Sequence, residues 1–285
     1  MTGHAGRLHG RVAFVTGAGR NIGRAIAVEC AREGANVVVA DINGDNAARV
    51  VDEIIGLGFA AVAAVGDAAE FSEIDRMFGE AEAAFGTVDL LVNNAYARIG
   101  KTNWASFLTV EPEDWSLFVT RNMNIFFGCT QRAARALALD GASGAVVNIS
   151  SNGSDRAHRN HIAYDSVKGG MDAFTRATAV DLAPWNIRVN GVRPGSITIE
   201  DSPGEAWPGE KGELRHAQIP LGRQGEPREI ATTVVYLGSD DAGYVTGQTF
   251  NVDGGMLTQG RAPQVEMVEV RTPDNIGEFS RTLLP

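Results

Sequence analysis

The chain has 285 residues and a mass of 30.2 kDa, which suits one large α/β domain or two small ones. Its formal net charge of −10 argues against nucleic acid or an anionic membrane as a partner, because phosphate-rich surfaces attract an excess of lysine and arginine. No apolar run approaches the ~20 residues that cross a bilayer, and residues 1–11 lack the apolar segment of a signal peptide. We therefore expect a cytoplasmic protein.

Predicted strands and helices alternate along the chain. Near-continuous apolar runs predict buried strands, and apolar spacing of three and four residues predicts helices between them. Such alternation indicates one parallel sheet with helices on both faces. The strands are predicted at 12–16, 37–41, 60–65, 89–93, 145–150, 187–192 and 248–252, and the helices at 22–33, 45–57, 71–85, 112–139, a segment around Tyr164 that ends near Pro184, and 227–237.

Two segments stand apart from this alternation. Residues 196–224 are rich in proline and glycine, and because more of the fold follows them we expect a lid over a substrate pocket within a single domain, 1–255. Residues 256–285 form a C-terminal extension. Its apolar residues Val265, Met267, Val268 and Val270 predict packing of residues 260–285 against a partner subunit near the pocket mouth, with a disordered tail as the alternative.

Tyr164 and Lys168 form a candidate proton-transfer pair. They are four residues apart, so on a helix they project from one face, one turn apart. A free tyrosine has a pKa of about 10, and an ammonium group one turn away favours the phenolate and lowers that pKa. Ser151 follows an apolar run that predicts a buried strand, and its hydroxyl could hold a carbonyl oxygen beside the phenol. The alternative is an ordinary surface pair on a helix.

A glycine-rich turn near the N-terminus carries the second signal. It runs from Thr16 to Gly23, follows the first predicted strand and opens the first predicted helix. In that setting, backbone N–H groups and the helix N-terminus face the pyrophosphate of a dinucleotide, with Gly17 and Gly23 allowing close approach. Asp41 ends the second strand, about twenty residues after the turn, where a carboxylate accepts hydrogen bonds from adenosine ribose hydroxyls.

With both signals present, the chain resembles the classical short-chain dehydrogenase/reductase family over roughly residues 8–256. The resemblance implies a single-domain, Rossmann-type, doubly wound parallel sheet of about seven strands. It also implies an NAD(H)-dependent oxidoreductase that interconverts a secondary alcohol and a ketone by hydride transfer. In this arrangement Ser151 holds the substrate oxygen, Tyr164 gives or takes the proton, and Lys168 lowers the tyrosine pKa while binding the nicotinamide ribose. Asn122 corresponds to the family's catalytic asparagine and would position a water; the alternative is a helix-interior amide bonded to backbone.

The resemblance also implies a set of cofactor-binding positions and no metal site. The positions are Gly17, Arg20, Asn21, Ile22, Gly23, Asp41, Ile42, Asp67, Ala68, Asn94, Ala95, Tyr164, Lys168, Pro194, Ile197 and Thr198. Asp41 favours NAD because its charge repels a 2′-phosphate, whereas Arg20 could serve that phosphate and leaves NADP as the alternative.

Two residues depart from the family's pattern. Asn21 stands where the family has a middle glycine, and asparagine tolerates the left-handed backbone that such a turn requires. Tyr96 stands where the family has a glycine after Asn-Asn-Ala, which changes the shape of the neighbouring pocket. We expect the turn to survive the first change.

The substrate and the assembly are less closely defined. Arg98, Arg156, His158, Arg159 and His161 surround the candidate site in sequence and would suit an anionic alcohol or ketone, unless they form a solvated basic loop. The functional alternatives are a non-catalytic dinucleotide-binding sensor or scaffold and an NADP(H)-dependent 3-oxoacyl-type ketoreductase. A sugar-nucleotide epimerase would need a longer C-terminal domain.

We also expect a homotetramer, or at least a homodimer. In the family the long helix and the Tyr164 helix pair across a two-fold axis, where one patch meets its own copy. Apolar residues beyond one buried stripe on these two predicted helices support this expectation: Phe126, Phe127, Met171 and Phe174.

Overall fold

The structure is a computed structural model, and it describes residues 6–99, 105–199 and 217–260. The expected lid at 196–224 is described only at its two ends. Apart from residue 260, the segment predicted to pack on a partner subunit lies outside the described residues. Among the helices in the described part of the chain, none is long and apolar enough to span a membrane.

One seven-stranded parallel sheet organises the molecule, in the order β3-β2-β1-β4-β5-β6-β7. This order confirms the expected single Rossmann-type domain. The strands are β1 (Val12–Thr16), β2 (Asn36–Asp41), β3 (Ala61–Val65), β4 (Leu90–Asn93), β5 (Gly144–Ile149), β6 (Ile187–Pro194) and β7 (Thr249–Val252).

Helices follow the strands and cover both faces of the sheet. They are α1 (Asn21–Arg32), α2 (Gly44–Gly56), α3 (Phe71–Phe85), α4 (Pro112–Asp140), α5 (Ile162–Leu182) and α6 (Pro227–Gly238). Short 3₁₀ turns precede α4 and flank α5. The sequence-based boundaries of the helices agree with these to within one or two residues, because proline, glycine and the apolar spacing mark helix ends locally.

The strands are apolar throughout because each of their faces packs on a different core. Val15 points into the core formed with α1, α2 and α6, and Phe14 points into the opposite core formed with α3 and α4. There, Phe14 stacks on Phe78 with ring centroids 4.3 Å apart. Cys30 and Cys129 are buried free thiols, one in each core, as expected for reduced core residues.

The strand order places a crevice where the chain direction of the sheet connections reverses. β1 pairs with β2 on one side and with β4 on the other, so their carboxyl ends diverge around a gap. Ligands of open α/β sheets bind at this kind of switch point. The carboxyl ends of β1, β2 and β4 carry the glycine turn, Asp41 and Asn94, which places the predicted cofactor residues around one opening.

A buried amide chain ties the strands beneath this opening to the helices behind it. Asn93 at the end of β4 donates to Thr130 of α4 (3.0 Å) and to Asn148 of β5 (2.8 Å). Asn148 in turn donates to Thr175 of α5 at 2.9 Å. Buried amides stay in one arrangement only when they are paired in this way, so the chain fixes α4 and α5 relative to β4 and β5.

A third apolar cluster joins α4 to α5, and it corrects one sequence-based expectation. Phe126 and Met171 are buried inside this cluster, within a single subunit. The prediction that they lie beyond the buried stripe was therefore wrong, because the packing of α5 on α4 widens the buried face of both helices. Phe127 is 43% exposed and Phe174 is partly exposed, as predicted.

Candidate active site

The glycine turn between β1 and α1 has the backbone conformation that a dinucleotide cradle requires. Gly17 has a φ of +61°, and a Cβ on Gly23 would overlap the carbonyl oxygen of Gly17. Asn21 adopts a φ of +51°, so asparagine accommodates the left-handed conformation expected of it. The backbone is thus free of side chains where a pyrophosphate would approach.

The N-terminus of α1 is left available to an anion. Its N-cap residue Arg20 makes no capping side-chain hydrogen bond, and its first turn carries no acidic side chain. By contrast, Asn43 caps α2 by accepting a hydrogen bond from the N–H of Asn46 at 2.9 Å. N–H groups at the start of a helix that lack a side-chain cap are suited to bind phosphate oxygens. This donor set fits the pyrophosphate of a dinucleotide.

Thr16 clamps the turn to the chain that follows β4. Its Oγ1 accepts hydrogen bonds from the N–H groups of Asn94 (2.9 Å) and Ala95 (3.0 Å), and it donates to the carbonyl of Val92. The Asn94 amide donates back to the carbonyl oxygens of Thr16 (3.0 Å) and Gly17 (3.1 Å). The two sides of the crevice are therefore held at a fixed separation.

Asp41 lies at the end of β2 with both carboxylate oxygens directed at the turn. Oδ2 accepts from the N–H of Gly19 (2.8 Å) and Oδ1 from the N–H of Asn43 (2.9 Å). A carboxylate has about four acceptor positions, so lone pairs remain for ribose hydroxyls. Arg49 donates to the carbonyl of Gly19 at 3.1 Å, which brings a second cation, besides Arg20, to this side of the opening.

A cavity of about 540 Å³ opens between these elements. Many of the predicted cofactor positions line it: Gly17, Arg20, Asn21, Ile22, Gly23, Asp41, Ile42, Asp67, Ala68, Asn94 and Ala95. Arg121, which the sequence did not identify, also lines it and forms an ion pair with Asp67. The charge of Asp67 is thus satisfied within the protein.

The predicted proton-transfer residues lie beyond the cavity wall. Ser151, Tyr164 and Lys168 are not among the described residues that line the cavity. The side chains of Ser151 and Tyr164 are hydrogen-bonded to each other, and Ser151 and Lys168 are buried. The structure therefore brings together the strand-end serine and the helix pair, as expected from their positions after β5 and on α5.

The pKa of Tyr164 moves in the direction opposite to the expected one. Burial raises it above its ordinary value, and the hydrogen bond with Ser151 only partly opposes that rise. Lys168 does not lower it because its Nζ is turned to the carbonyl of Ile149, to which it donates at 2.6 Å. Burial also lowers the pKa of Lys168 to about 8, against an opposing contribution from Asp172.

Asn122 holds backbone in this structure. Its Oδ1 accepts from the N–H of Ala97 (2.9 Å), and its Nδ2 donates to the carbonyls of Ala97 and Phe118 (3.0 Å each). The side chain thus matches the alternative of a helix-interior amide bonded to backbone. A role in positioning water stays a prediction.

The loop after β6 lies along the opposite edge of the site. Pro194 ends β6, and the segment after it is held by Ile197 and Thr198, which pair with Gly225 through backbone hydrogen bonds and a bridge. Of the described residues around the 540 Å³ cavity, none is Pro194, Ile197 or Thr198, although Ile199 is present. Their contact with a nicotinamide ring stays a prediction.

The basic residues around Tyr164 are divided between structural and exposed positions. Arg156 donates to the carbonyl of Met256 (2.9 Å), and His158 contacts Asp165 through Nδ1 (2.9 Å). His161 lies against Tyr164, with ring centroids 5.4 Å apart, and burial lowers the pKa of its imidazole. The ligand atoms of His158, His161 and Asp165 lie within 4.8 Å of one another, and the expectation of no metal site stays untested.

Comparison with known proteins identifies the family. A sequence model described as "Enoyl-(Acyl carrier protein) reductase" matches residues 17–257. The L-rhamnose 1-dehydrogenase (NAD(P)(+)) of Azotobacter vinelandii is 37% identical over 251 residues, which are 87% of this chain and 96% of that protein. The chain belongs to the classical short-chain dehydrogenase/reductase family. It is therefore an oxidoreductase of small molecules whose cofactor is a nicotinamide dinucleotide.

Other members of the short-chain dehydrogenase/reductase family are similar over the same span. The 3-oxoacyl-[acyl-carrier-protein] reductase of Staphylococcus aureus is 37% identical over 245 residues, 86% of this chain and 97% of that protein. A gluconate 5-dehydrogenase structure from Burkholderia cenocepacia, in complex with NADP and tartrate, has a TM-score of 0.80 and 33% identity, covering 89% of this chain and 97% of that one.

Thr16 and Arg121 are site residues that the sequence reasoning missed. Thr16 was treated only as the last residue of a strand, although a hydroxyl next to a glycine turn is a natural clamp for the neighbouring strand end. Arg121 is adjacent to Asn122 on α4, and its charge on a helix that faces the cofactor was the available signal.

Lys168→Met tests the burial of the ammonium group. Because the folded pKa of Lys168 is about 8 against an ordinary 10.5, the wild type carries a buried charge below pH 8 and is relieved of it as the pH rises toward 10.5. We expect the Tm of the variant relative to wild type to be more favourable at about pH 7 than at about pH 9.5. Ser151→Ala, which removes no charge, is the control. A relative Tm that does not change with pH would mean that Lys168 titrates normally.

Proposed function

We propose that the protein is an NAD(H)-dependent oxidoreductase that interconverts a secondary alcohol and a ketone. One observation carries the proposal: Tyr164 is hydrogen-bonded to Ser151 and lies one helical turn from Lys168, next to a dinucleotide-shaped cavity. A buried phenol, hydroxyl and ammonium in this arrangement are suited to move one proton to or from an oxygen atom. The presence of all three argues against the sensor or scaffold alternative.

The protein residues would act on the substrate oxygen. The Ser151 hydroxyl would donate a hydrogen bond to it, and the Tyr164 hydroxyl would deliver the proton during ketone reduction and remove it during alcohol oxidation. When bound, the nicotinamide ring supplies or accepts the hydride at the substrate carbon. The glycine turn, the N-terminus of α1 and Asp41 would hold the cofactor.

Lys168 would contribute by its charge. As the Tyr164 phenolate forms, a nearby ammonium stabilises it, and this attraction is strong in a buried site where the effective dielectric constant is low. In the described structure, Lys168 Nζ lies 5.8 Å from the centroid of the Tyr164 ring. A shift of Nζ away from the Ile149 carbonyl would bring it toward the cofactor ribose, as the family resemblance implies.

Asp41 supports NAD as the preferred cofactor. Its carboxylate is fixed at the end of β2 by the N–H groups of Gly19 and Asn43, so a 2′-phosphate there would meet a negative charge. Arg20 and Arg49 support the alternative, NADP, since both approach the same side of the turn. Among the relatives, one name gives NAD(P) and one structure contains NADP.

The relatives suggest two substrate classes for the first screen. One is a sugar or sugar acid, because L-rhamnose and gluconate appear in the relatives' names. The other is a 3-oxoacyl thioester, with an NADP(H)-dependent ketoreductase as the alternative function. His161 beside Tyr164 and Arg98 at the cavity favour the first class, because both can bind hydroxyl or carboxylate groups. Reduction or formation of NADH across both classes separates them.

A second copy of the chain is the proposed partner. An apolar groove between α4 and α5 is formed by Phe127, Phe174, Leu182 and Trp185, of which Trp185 is 55% exposed. Groups of exposed aromatic side chains on paired helices are typical of interfaces between subunits. We therefore propose a homotetramer, or at least a homodimer, built on these helices.

Tyr164→Phe removes the hydroxyl that would carry the proton. We expect turnover to fall by about 100-fold or more, while NADH binding, measured by fluorescence, is retained because the ring stays in place. Tyr244→Phe is the matched control, since Tyr244 is fully exposed. Turnover of the Tyr164 variant close to that of wild type would contradict the assignment.

Asp41→Ala and Asp41→Asn remove the charge that would repel a 2′-phosphate. We expect the ratio of kcat/KM for NAD to kcat/KM for NADP to fall by about tenfold or more in both variants, which corresponds to about 1.4 kcal/mol. The asparagine variant keeps an acceptor for the turn and so controls for loss of structure. A wild type that already prefers NADP would show that Arg20 governs the choice, and Arg20→Ala would then reverse it.

Phe127→Glu places a charge in the α4–α5 groove. We expect wild type to run as a tetramer or dimer in light scattering at micromolar concentration and the variant to dissociate, because a buried carboxylate is costly. Leu139→Glu, at an 88% exposed position of the same helix, is the control. A wild-type monomer of about 30 kDa would refute the proposed assembly.

A further inference from the structure

Tyr96 lies where the cofactor cavity meets the proton-transfer pair. It lines the 540 Å³ cavity, and on its other side its ring packs edge-on against Tyr164, with centroids 5.2 Å apart and an interplanar angle of 84°. Lys168 Nζ lies 5.9 Å from the centroid of the Tyr96 ring. The ring thus separates the cavity from the two residues that would exchange a proton with the substrate.

The backbone on both sides of Tyr96 is fixed. Before it, the N–H groups of Asn94 and Ala95 donate to Thr16 Oγ1. After it, Asn122 holds both the N–H and the carbonyl of Ala97. A side chain that leaves such a clamped segment starts from one fixed Cα position, so the direction of the ring is set by the fold and not by a mobile loop.

The ring also has a firm support behind it. Phe118 of α4 is completely buried and meets Tyr96 edge to face, with centroids 5.8 Å apart. Both rings belong to the cluster that joins α4 to α5. Interiors of this kind are close-packed and yield little to an intruding group. A substrate substituent that reached toward the cavity would therefore meet a wall.

The glycine that the family usually has at this position is not required by the backbone here. The described non-glycine residues with positive φ are Asn21, Asn160 and Asn186, and Tyr96 is not among them. Any L-residue can adopt the Tyr96 conformation, so the choice of residue at 96 changes the space in the site and leaves the path of the chain intact.

We propose that Tyr96 is a specificity-determining residue, which restricts the protein to ketones and secondary alcohols with one compact substituent beside the reacting carbon. The inference rests on the proposed function. The compact substituent would lie between the Tyr96 ring and the Tyr164 hydroxyl, and the larger one would point away from the cavity. A hydrophobic wall discriminates by about tenfold or more for each added methylene group.

The experiment uses a series of octanones of equal composition. In 2-, 3- and 4-octanone the smaller substituent grows from methyl to ethyl to propyl, while overall size stays constant. NADH-dependent reduction is measured for the full-length wild type and for Tyr96→Ala, Tyr96→Gly, Tyr96→Leu and Tyr96→Phe. Tyr244→Ala, which removes a fully exposed ring, controls for general loss of an aromatic residue. NADH fluorescence and Tm establish that each variant is folded and binds cofactor.

We expect wild type to prefer 2-octanone and the alanine and glycine variants to shift the kcat/KM ratio toward 4-octanone by about tenfold or more, mainly through KM. Leucine should give an intermediate ratio, and phenylalanine should keep the wild-type ratio because the ring remains. If the alanine and glycine variants do not fold, the order of wild type, phenylalanine and leucine still decides.

Two results would overturn the inference in different ways. A wild type that reduces ketones, with variants whose ratios match it, would show that Tyr96 does not set specificity and would leave the proposed function intact. A wild type that reduces none of the octanones and oxidises no alcohol of the sugar or acyl classes would contradict the proposed function itself.

Discussion

The ammonium of Lys168 lies almost entirely out of water, and the catalytic half of the site is built around that burial. A buried charge costs several kcal/mol unless other groups compensate for it. Here the compensation comes from the Ile149 carbonyl at 2.6 Å, the aromatic rings of Tyr96 and Tyr164 at just under 6 Å, and the charge of Asp172. This compensation is incomplete, because the pKa still falls to about 8. The protein gives up stability to hold a poorly hydrated cation beside a phenol.

The sheet makes this arrangement possible by fixing the two halves of the site relative to each other. Thr16 joins the glycine turn to the chain after β4, and the amide chain from Asn93 through Asn148 to Thr175 joins β4 and β5 to α5, which carries Tyr164. All of these bonds are buried or partly buried, where a broken hydrogen bond costs the full desolvation of its partner. The distance between the cavity and the phenol is therefore a property of the fold and not of flexible loops.

Local chemistry was predictable from the sequence, and relations between distant residues were less so. Asn21 and Asp41 were assigned correctly to a left-handed turn and a strand end because residue type and the neighbouring pattern determine both. The direction of the Tyr164 pKa was not predictable, since it depends on where the flexible Lys168 side chain points. The burial of Phe126 was also missed, because it depends on how deeply α5 packs on α4, and sequence spacing on one helix does not report that.

Position 96 illustrates how one frame can serve different substrates. The segment from 94 to 97 is held by Thr16 on one side and Asn122 on the other, and both sets of bonds go to backbone atoms. The clamp would form with any residue at 96 that tolerates a negative φ, so a change there alters the volume beside Tyr164 without altering the fold. Asn122 thus has a structural task that is independent of any water it holds: it keeps the residue that borders the substrate pocket in place. In a fold whose catalytic groups are fixed by buried bonds, side chains at such clamped positions are where a change of specificity is least costly to stability.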